Sequence, residues 1–393
     1  MIPRPDRYDG TTESVRDAFG DLAVARMDKN LWISSKVVRL PKFRAVFVGK
    51  DQNEDTQLDA FIDALHWHTQ TDNPQQLPLS FVFSADGENA AAVRDGLAIL
   101  RDSLSADYRS QLDILQDFDP ISLPLPDLTT VVAERCEQLN VREQAILPGL
   151  GREIAKSFCR TEFRWYRTVT STYWSGRIAG LQVCKLHDTG ELIFGVGKIG
   201  GEARDTFMEI MGDNPLEYDA GDLNRVVVLI EQLGKERVPP DGKLSGLEPE
   251  HRMQARILND ELPVIVDGQQ LENVISPEEY PFEFPAQWSE NQASKYIDVL
   301  CRAGKQPWAL ELKRPQGQGQ YYRHGITQAI LYRHFIRSWG KLNDWFENRG
   351  LDASRCEAAL VIPRIAGEKE ETLRKHLQDV ARLFDIRIVE LPQ

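Results

Sequence analysis

Residues 294–315, SKYIDVLCRAGKQPWALELKRP, place two apolar strand-like runs on either side of a short turn at Lys305 and Gln306, and both runs carry charge. Side chains alternate faces along a strand. Tyr296, Asp298 and Leu300 therefore share one face of the first run, and Ala309, Glu311 and Lys313 share one face of the second. A hairpin that aligns these faces brings Asp298 together with Glu311 and leaves Lys313 one pleat beyond. Charged groups are costly to bury unpaired, so a strand reading ALELK needs a use for its charges.

Metal-assisted hydrolysis of a phosphodiester is such a use. Two carboxylates hold a hard divalent ion such as Mg²⁺, with Mn²⁺ as a substitute, and the ion keeps several of its waters. It polarises the phosphoryl oxygen and lowers the pKa of a bound water. A neighbouring ammonium orients that water or stabilises charge building on the phosphate. On this reading Asp298 and Glu311 are the expected metal ligands and Lys313 completes the catalytic set.

Asp298, twelve intervening residues and Glu311-Leu312-Lys313 resemble the core of the PD-(D/E)XK nuclease superfamily, with Ile297 in place of the proline that names the motif. A glycine-containing loop (RPQGQGQYYRHG, from Arg314) follows, and then Gln328-Ala-Ile-Leu-Tyr332, which is similar to the helix motif of the RecB-type branch and of mismatch endonucleases related to it. The resemblance covers residues 245–393. It implies a restriction-endonuclease-like αβββαβ core, a metal-dependent DNA endonuclease activity, and a role for Gln328 and Tyr332 in placing the nucleic acid. It also implies a further acid on the first helix, for which Glu250 is the best match, with Glu248 and Glu261 as rivals. Standalone nucleases of this kind often serve prokaryotic defence or restriction. Two other readings stand beside it: a catalytically silent nuclease fold that binds DNA or a partner, and a nuclease gated by a ligand of an N-terminal sensor domain.

The order of elements agrees with an α/β chain. From residue 245 the pattern predicts helix (249–261), strand (262–267), strands at 294–301 and 307–313, helix (322–339), strand (357–362), helix (367–382) and strand (385–391). Apolar runs at 43–49 and near 79–84, each followed by helical periodicity, predict a small parallel α/β domain within residues 1–145. Residues 146–240 read as an α+β domain: strand-like runs at 163–173 and 177–185, a turn at Asp188-Thr189-Gly190 and a returning strand form an antiparallel meander. The Pro- and Gly-rich stretch ERVPPDGKLSGLEPE, residues 236–250, marks the last boundary.

A chain of 393 residues with formal charge −13 looks unsuited to a polyanion. Residues 51–150, however, hold 18 acidic and 5 basic side chains and account for the whole excess. Residues 302–341 carry eight Lys and Arg and a single acid, Glu311. A local basic zone matters more than the sum. Arg314, Arg323, Arg333 and Arg337 are therefore expected to contact phosphate, and Tyr321 and Tyr322 are candidates for stacking. A second basic cluster, Arg152, Lys156, Arg160, Arg164, Arg167, Arg177 and Lys185, could extend that surface. The acidic N-terminal domain is expected to dock a basic partner protein or to shield the basic face, and cutting both strands of a duplex suggests a homodimer.

Other signals lead nowhere. Gly195-Val-Gly197-Lys-Ile-Gly200 fits the dinucleotide fingerprint in spacing, but its strand belongs to an antiparallel hairpin and not to a βαβ unit. His66 and His68 sit two apart on a helix and point in different directions. The five cysteines form no Cys-x-x-Cys pair, no apolar run is long enough to cross a bilayer, and no signal-peptide pattern opens the sequence. A reduced, cytoplasmic protein without membrane association is expected.

Overall fold

A computed structural model describes residue 6 and residues 8–19, 23–24, 36–39, 44–69, 78–158, 163–169, 171–195, 202–237, 250–275, 279–290, 295–314, 320–338, 343–364 and 368–391. The N-terminal part runs α1 (Thr12–Phe19), β1 (Ala23–Val24), β2 (Lys36–Arg39), β3 (Arg44–Val48), α2 (Glu54–Thr69), β4 (Leu79–Phe83), α3 (Gly87–Asp102), α4 (Ala106–Arg109), β5 (Leu112–Gln116) and β6 (Asp119–Pro120). These strands form one sheet in sequence order, parallel from β3 to β5 and antiparallel at both edges. Continuous apolar runs such as LSFVF in β4 are what a strand covered on both faces requires. Right-handed crossovers between neighbouring parallel strands put α2 and α3 on the same face. The opposite face packs Val15 of α1 with Phe47, Val82 and Phe118. Asp117 and Phe118, both at positive φ (49° and 72°), make the two-residue turn from β5 to β6. The Phe118 ring is compensated by contacts with Tyr8 and Phe47.

α5 (Thr129–Glu143) leads into the middle unit: α6 (Gly149–Ser157), β7 (Phe163–Arg167), β8 (Tyr173–Ile178), β9 (Leu181–His187), β10 (Leu192–Phe194), α7 (Glu202–Met211), β11 (Glu217–Tyr218) and α8 (Leu223–Arg237). The sheet order is β11-β10-β9-β8-β7, antiparallel throughout. The run expected to be one strand over 163–173 ends at Arg167, and Tyr173 opens the next strand. Ile154, Phe207 and Ile230 of the three helices close one face over Trp174, Leu186 and Phe194, giving this unit a core of its own.

The C-terminal part comprises α9 (Glu250–Leu258), β12 (Ile265–Val266), β13 (Gln269–Gln270), β14 (Glu272–Asn273), β15 (Phe284–Ala286), β16 (Lys295–Ile297), β17 (Val299–Ala303), β18 (Gln306–Leu312), α10 (Gln320–Arg337), α11 (Asn343–Glu347), β19 (Glu357–Pro363), α12 (Glu368–Leu383) and β20 (Arg387–Leu391). The single strand expected over 262–267 is a two-residue hairpin arm, turned back by Asp267-Gly268. A five-stranded mixed sheet has the order β14-β17-β18-β19-β20, antiparallel from β14 to β18 and parallel from β18 to β20. Met253 and Ile257 of α9 cover one face with Val299, Leu310 and Leu312. α10 and α12 cover the other, over Ala309, Leu360 and Ile362.

That second face does not end the packing. Leu58, Phe61 and Leu65 of α2 and Val93 and Leu97 of α3 belong to the same continuous cluster as Ile326, Ile330 and Phe335 of α10. The sequence suggests a separate domain over 1–145, whereas the N-terminal and C-terminal sheets share one core, with four helices layered between them. α10 is buried over most of its circumference, polar residues included, because it has protein on both sides. The described cysteines, Cys136, Cys184, Cys301 and Cys356, are free thiols. Among the described residues no helix is long and apolar enough to cross a membrane.

Candidate active site

The β17–β18 ladder pairs Val299 with Leu310, so the next step of the register sets Asp298 opposite Glu311. At Asp298 the chain leaves the ladder: β16, just before it, pairs with β15 in a separate two-stranded sheet. The Asp298 carboxylate turns inward, and its Oδ2 accepts the backbone N–H of Leu312 at 2.8 Å. Gln254, buried on α9, donates to the Asp298 carbonyl at 2.8 Å and fixes the kink from the other side. The Lys313 N–H bonds to Val361 O at 3.0 Å, which keeps Lys313 in line with β18. Its ammonium pairs with Glu311 Oε1 and lies 3.9 Å from Oε1 of Glu250, the first residue of α9. Three elements distant in sequence thus bring Asp298, Glu311, Lys313 and Glu250 together.

These groups are strongly coupled. Burial raises the carboxyl of Asp298 well above the usual carboxylate range, and Glu311 and Glu250 push it further while Lys313 pulls it back. Burial also raises Glu311, against the pull of Lys313. Burial alone would discharge Lys313, but Glu311, Asp298 and Glu250 outweigh it and keep the ammonium protonated. Three carboxylates around one lysine leave excess negative charge in a place where the Glu311 side chain is 2% exposed. Glu311 Oε2 is buried and has no hydrogen-bond partner among the described residues. Buried polar atoms are rarely left so, and a cation held between Asp298 and Glu311 would satisfy it. Among the described residues no three His, Cys, Asp or Glu side chains form a complete protein cage for a metal. Mg²⁺ does not require one, since it binds through one or two carboxylates and retains water.

On α10, Gln328 Nε2 donates to the Tyr332 hydroxyl at 3.2 Å, and Tyr332 is fully buried. Burial, with Glu311 and Asp298 nearby, raises the Tyr332 phenol well above its ordinary value. Gln328 Oε1 is a second buried acceptor without a partner among the described residues.

The cations of α10 face elsewhere. Arg323 is buried in an ion pair with Asp63 of α2. Arg333, also buried, donates to the carbonyls of Phe384 (2.7 Å) and Asp385 (2.9 Å). Arg337, 39% exposed, bonds to Cys356 O and Glu357, each at 2.6 Å. The expectation that Arg323 and Arg333 contact phosphate is corrected, since both are buried and tie α10 to α2 and to the α12–β20 turn; Arg337 bonds to Cys356 O and Glu357 and remains partly exposed. Tyr322 is buried as packing, whereas Arg314 is exposed just beyond β18. Residues 315–319, Lys341 and the Tyr321 side chain lie outside the described residues.

Part of the acidic N-terminal surface is likewise spent internally. Asp55, Asp59 and Asp63 recur every fourth residue along α2 and face Lys295 (3.4 Å), His324 (3.3 Å) and Arg323 respectively. His324 escapes a sequence reading, because no spacing signal links it to an acid so far away in the chain. The acid row itself is legible as helical periodicity. His66 is buried with its ring centroid 5.2 Å from that of His376, and Gly197–Gly200 lie outside the described residues.

The second basic cluster divides. Arg152 and Lys156 bond locally to Leu147 O and Glu153, Arg167 lies over the Trp174 ring, Arg177 pairs with Glu283, and Arg160 is outside the described residues. Arg164 and Lys185 have no carboxylate partner among the described residues. They share the sheet face away from α6–α8, where Arg164 is opposite Arg177 and Ser175 is opposite Lys185. No family model, curated protein or solved structure matches the chain, which leaves the side chains around Asp298 and Glu311 as the guide to its chemistry.

Proposed function

We propose that the chain is a divalent-metal-dependent nuclease that hydrolyses phosphodiester bonds, with DNA as substrate. The observation that carries this reading is the buried, unpartnered Glu311 Oε2 beside Asp298 and a protonated Lys313. α9, the strands β14, β17 and β18, α10 and β19 are then read as the αβββαβ core of a restriction-endonuclease-like fold. Asp298 and Glu311 would hold Mg²⁺ or Mn²⁺, with Glu250 at the rim. The ion, when bound, would supply Lewis-acid polarisation of the phosphate and an acidified water.

The chain's own residues do the remaining work. Leu312 N–H and Gln254 fix Asp298 from both sides, so the metal ligand does not have to be ordered when substrate binds. Lys313 stays cationic and therefore donates hydrogen bonds to the attacking water or the phosphate, and does not remove a proton. Gln328, with its open acceptor, and the exposed Arg314 would place the strand. A part in prokaryotic defence follows from the resemblance, a cytoplasmic site of action from the unpaired cysteine pattern, and assembly as a homodimer from the need to cut both strands of a duplex.

The test is to incubate purified protein with plasmid, linear duplex, single-stranded DNA and RNA, with and without Mg²⁺ or Mn²⁺. Cleavage that needs the metal is expected. Asp298→Ala and Lys313→Ala should each lower the rate roughly 10³-fold or more at unchanged fold. Full activity in both variants would refute the assignment.

A further inference from the structure

His324, Gln328 and Tyr332 stand at i, i+4 and i+8 and so form one row along α10. The row steps outward from the core: Tyr332 is fully buried, Gln328 half-buried, and the His324 side chain 23% exposed. Its outer turn is pressed onto the site. Gly325 approaches Lys313 so closely that a Cβ there would lie 2.9 Å from Lys313 Cγ. The His324 charge acts on both Glu311 and Lys313.

What holds His324 comes from the other end of the chain. Its Nδ1 lies 3.3 Å from Asp59 Oδ2, and Thr327 Oγ1 donates to Asp59 Oδ1 at 2.5 Å. One carboxylate of α2 thus uses both oxygens on adjacent positions of α10. With Asp63 on Arg323 and Asp55 on Lys295, it belongs to a clamp that grips α10 and the strand leading into Asp298.

We propose that Asp59 is a positioning residue that fixes and charges His324, and that His324 is a further phosphate-binding residue of the site. The proposal rests on the nuclease reading. Burial works against the charged imidazole, but Asp59 and Asp55 outweigh it and raise its pKa. Lys313, paired with Glu311, serves the reacting centre, and His324 supplies a second cation for a phosphate entering from the outer end of the row. The N-terminal layer then completes the active site and is not a detachable sensor.

The test is the affinity of the full chain for a fluorescein-labelled DNA oligonucleotide in EDTA, where metal-dependent cleavage is off. His324→Ala and Asp59→Asn should each weaken binding about 5- to 10-fold, and the double variant no more than His324→Ala alone. In a His324→Lys background, whose charge does not depend on Asp59, Asp59→Asn should have no effect on binding. Asp63→Asn, which alters the same α2–α10 interface away from His324, should lower the melting temperature and leave affinity unchanged. With metal restored, the His324→Ala defect should fall on KM and spare kcat. Wild-type affinity in His324→Ala, or multiplying effects in the double variant, would overturn the proposal. Coupling in binding alongside a wild type that cuts nothing would refute the nuclease reading alone. A wild type that neither binds nor cuts would refute both.

Discussion

The N-terminal layer and the middle unit both touch the C-terminal sheet, in opposite ways. α2 and α3 merge with α10 and α12 in one apolar cluster, and the polar contacts across that seam include the nearly sealed pair of Asp63 with Arg323 and the part-buried bond from Thr327 to Asp59. The middle unit closes its own core around Trp174 and meets the C-terminal part through single pegs. Tyr166 reaches the cluster of Met253 and Ile257, Tyr280 lies against Trp174 at 4.9 Å, and Arg177 bonds to Glu283 at 2.9 Å. Both seams join an acid to an arginine, but the Asp63–Arg323 pair is nearly sealed from water whereas the Arg177–Glu283 pair keeps partial exposure. Similar residue types therefore carry different weights. The N-terminal seam is structural and reaches the site, whereas the middle unit is an attachment that can change without unfolding its neighbour.

Core truncation should expose the contrast most strongly. Ile330 is fully buried in the shared cluster and Phe207 in the separate one. Each change to Ala should destabilise by about 2–5 kcal/mol. Hydrogen exchange should show Ile330→Ala weakening the β3–β5 and β17–β20 sheets together, and Phe207→Ala weakening only residues 147–237. Independent melting of β3–β5 in the Ile330→Ala protein would break the comparison.

The ion pairs give the next largest difference. Asp63→Ala removes the carboxylate facing Arg323 in a place where both side chains are nearly sealed, and should destabilise by about 3 kcal/mol. Glu283→Ala acts on a pair that keeps contact with solvent, and about 1 kcal/mol is expected. Urea midpoints of the two variants check this, and equal losses would mean that the two seams are alike.

Acid acts on the N-terminal seam through buried groups of opposite sign, and a single substitution separates them. Burial, reinforced by His376, pushes His66 down to about 4, while Asp379 pulls weakly the other way. Between its ordinary value and about 4 the unfolded chain binds a proton that the folded chain refuses, so stability falls as pH falls. From pH 7 to pH 5 His66 contributes a loss of about 2 kcal/mol. Burial holds Asp63 and Glu54 up at about 7, and these groups act in the opposite sense. The comparison with His66→Leu isolates the histidine: the variant should lose less stability than wild type on acidification. Parallel pH profiles would remove His66 from the account.

Local patterns were legible in the sequence and reciprocal ones were not. Asp298, Glu311 and Lys313 stand out because strand alternation is a two-residue rule and charges in an apolar strand violate it. The mixed sheet and the meander are legible for the same reason. The cations of α10 mislead because a helix with basic residues and few acids looks solvated until its polar residues are seen to be buried as well. Arg323, Thr327 and Arg333 are as enclosed as Ile326, Ile330 and Phe335. Their partners were present as the four-residue acid repeat of α2, but Asp59 and Thr327 are 268 residues apart, and no short-range rule joins them. The charge asymmetry between residues 51–150 and 302–341 is a record of that seam as much as of any external partner.

The smallest effect expected belongs to the face of the middle sheet away from α6–α8, part of which Tyr166 packs against α9. Arg164 and Lys185, half-buried there, have no carboxylate partner among the described residues, and Lys185 lies 4.8 Å over the Tyr173 ring, on a unit whose β8–β9 turn abuts α9 at His251. Glu250 begins α9, so a strand leaving the proposed site in that direction would cross this face. Contacts of this kind are to phosphate, independent of sequence and screened by salt. Arg164→Glu with Lys185→Glu should weaken oligonucleotide binding a few-fold, and each lost contact should lower the salt slope by about 0.7 to 0.9. Cleavage at saturating substrate should be unchanged. An unaltered salt slope would confine the nucleic acid to the catalytic sheet, and a loss of stability would show that the middle unit is sealed to its neighbour as firmly as the N-terminal layer is.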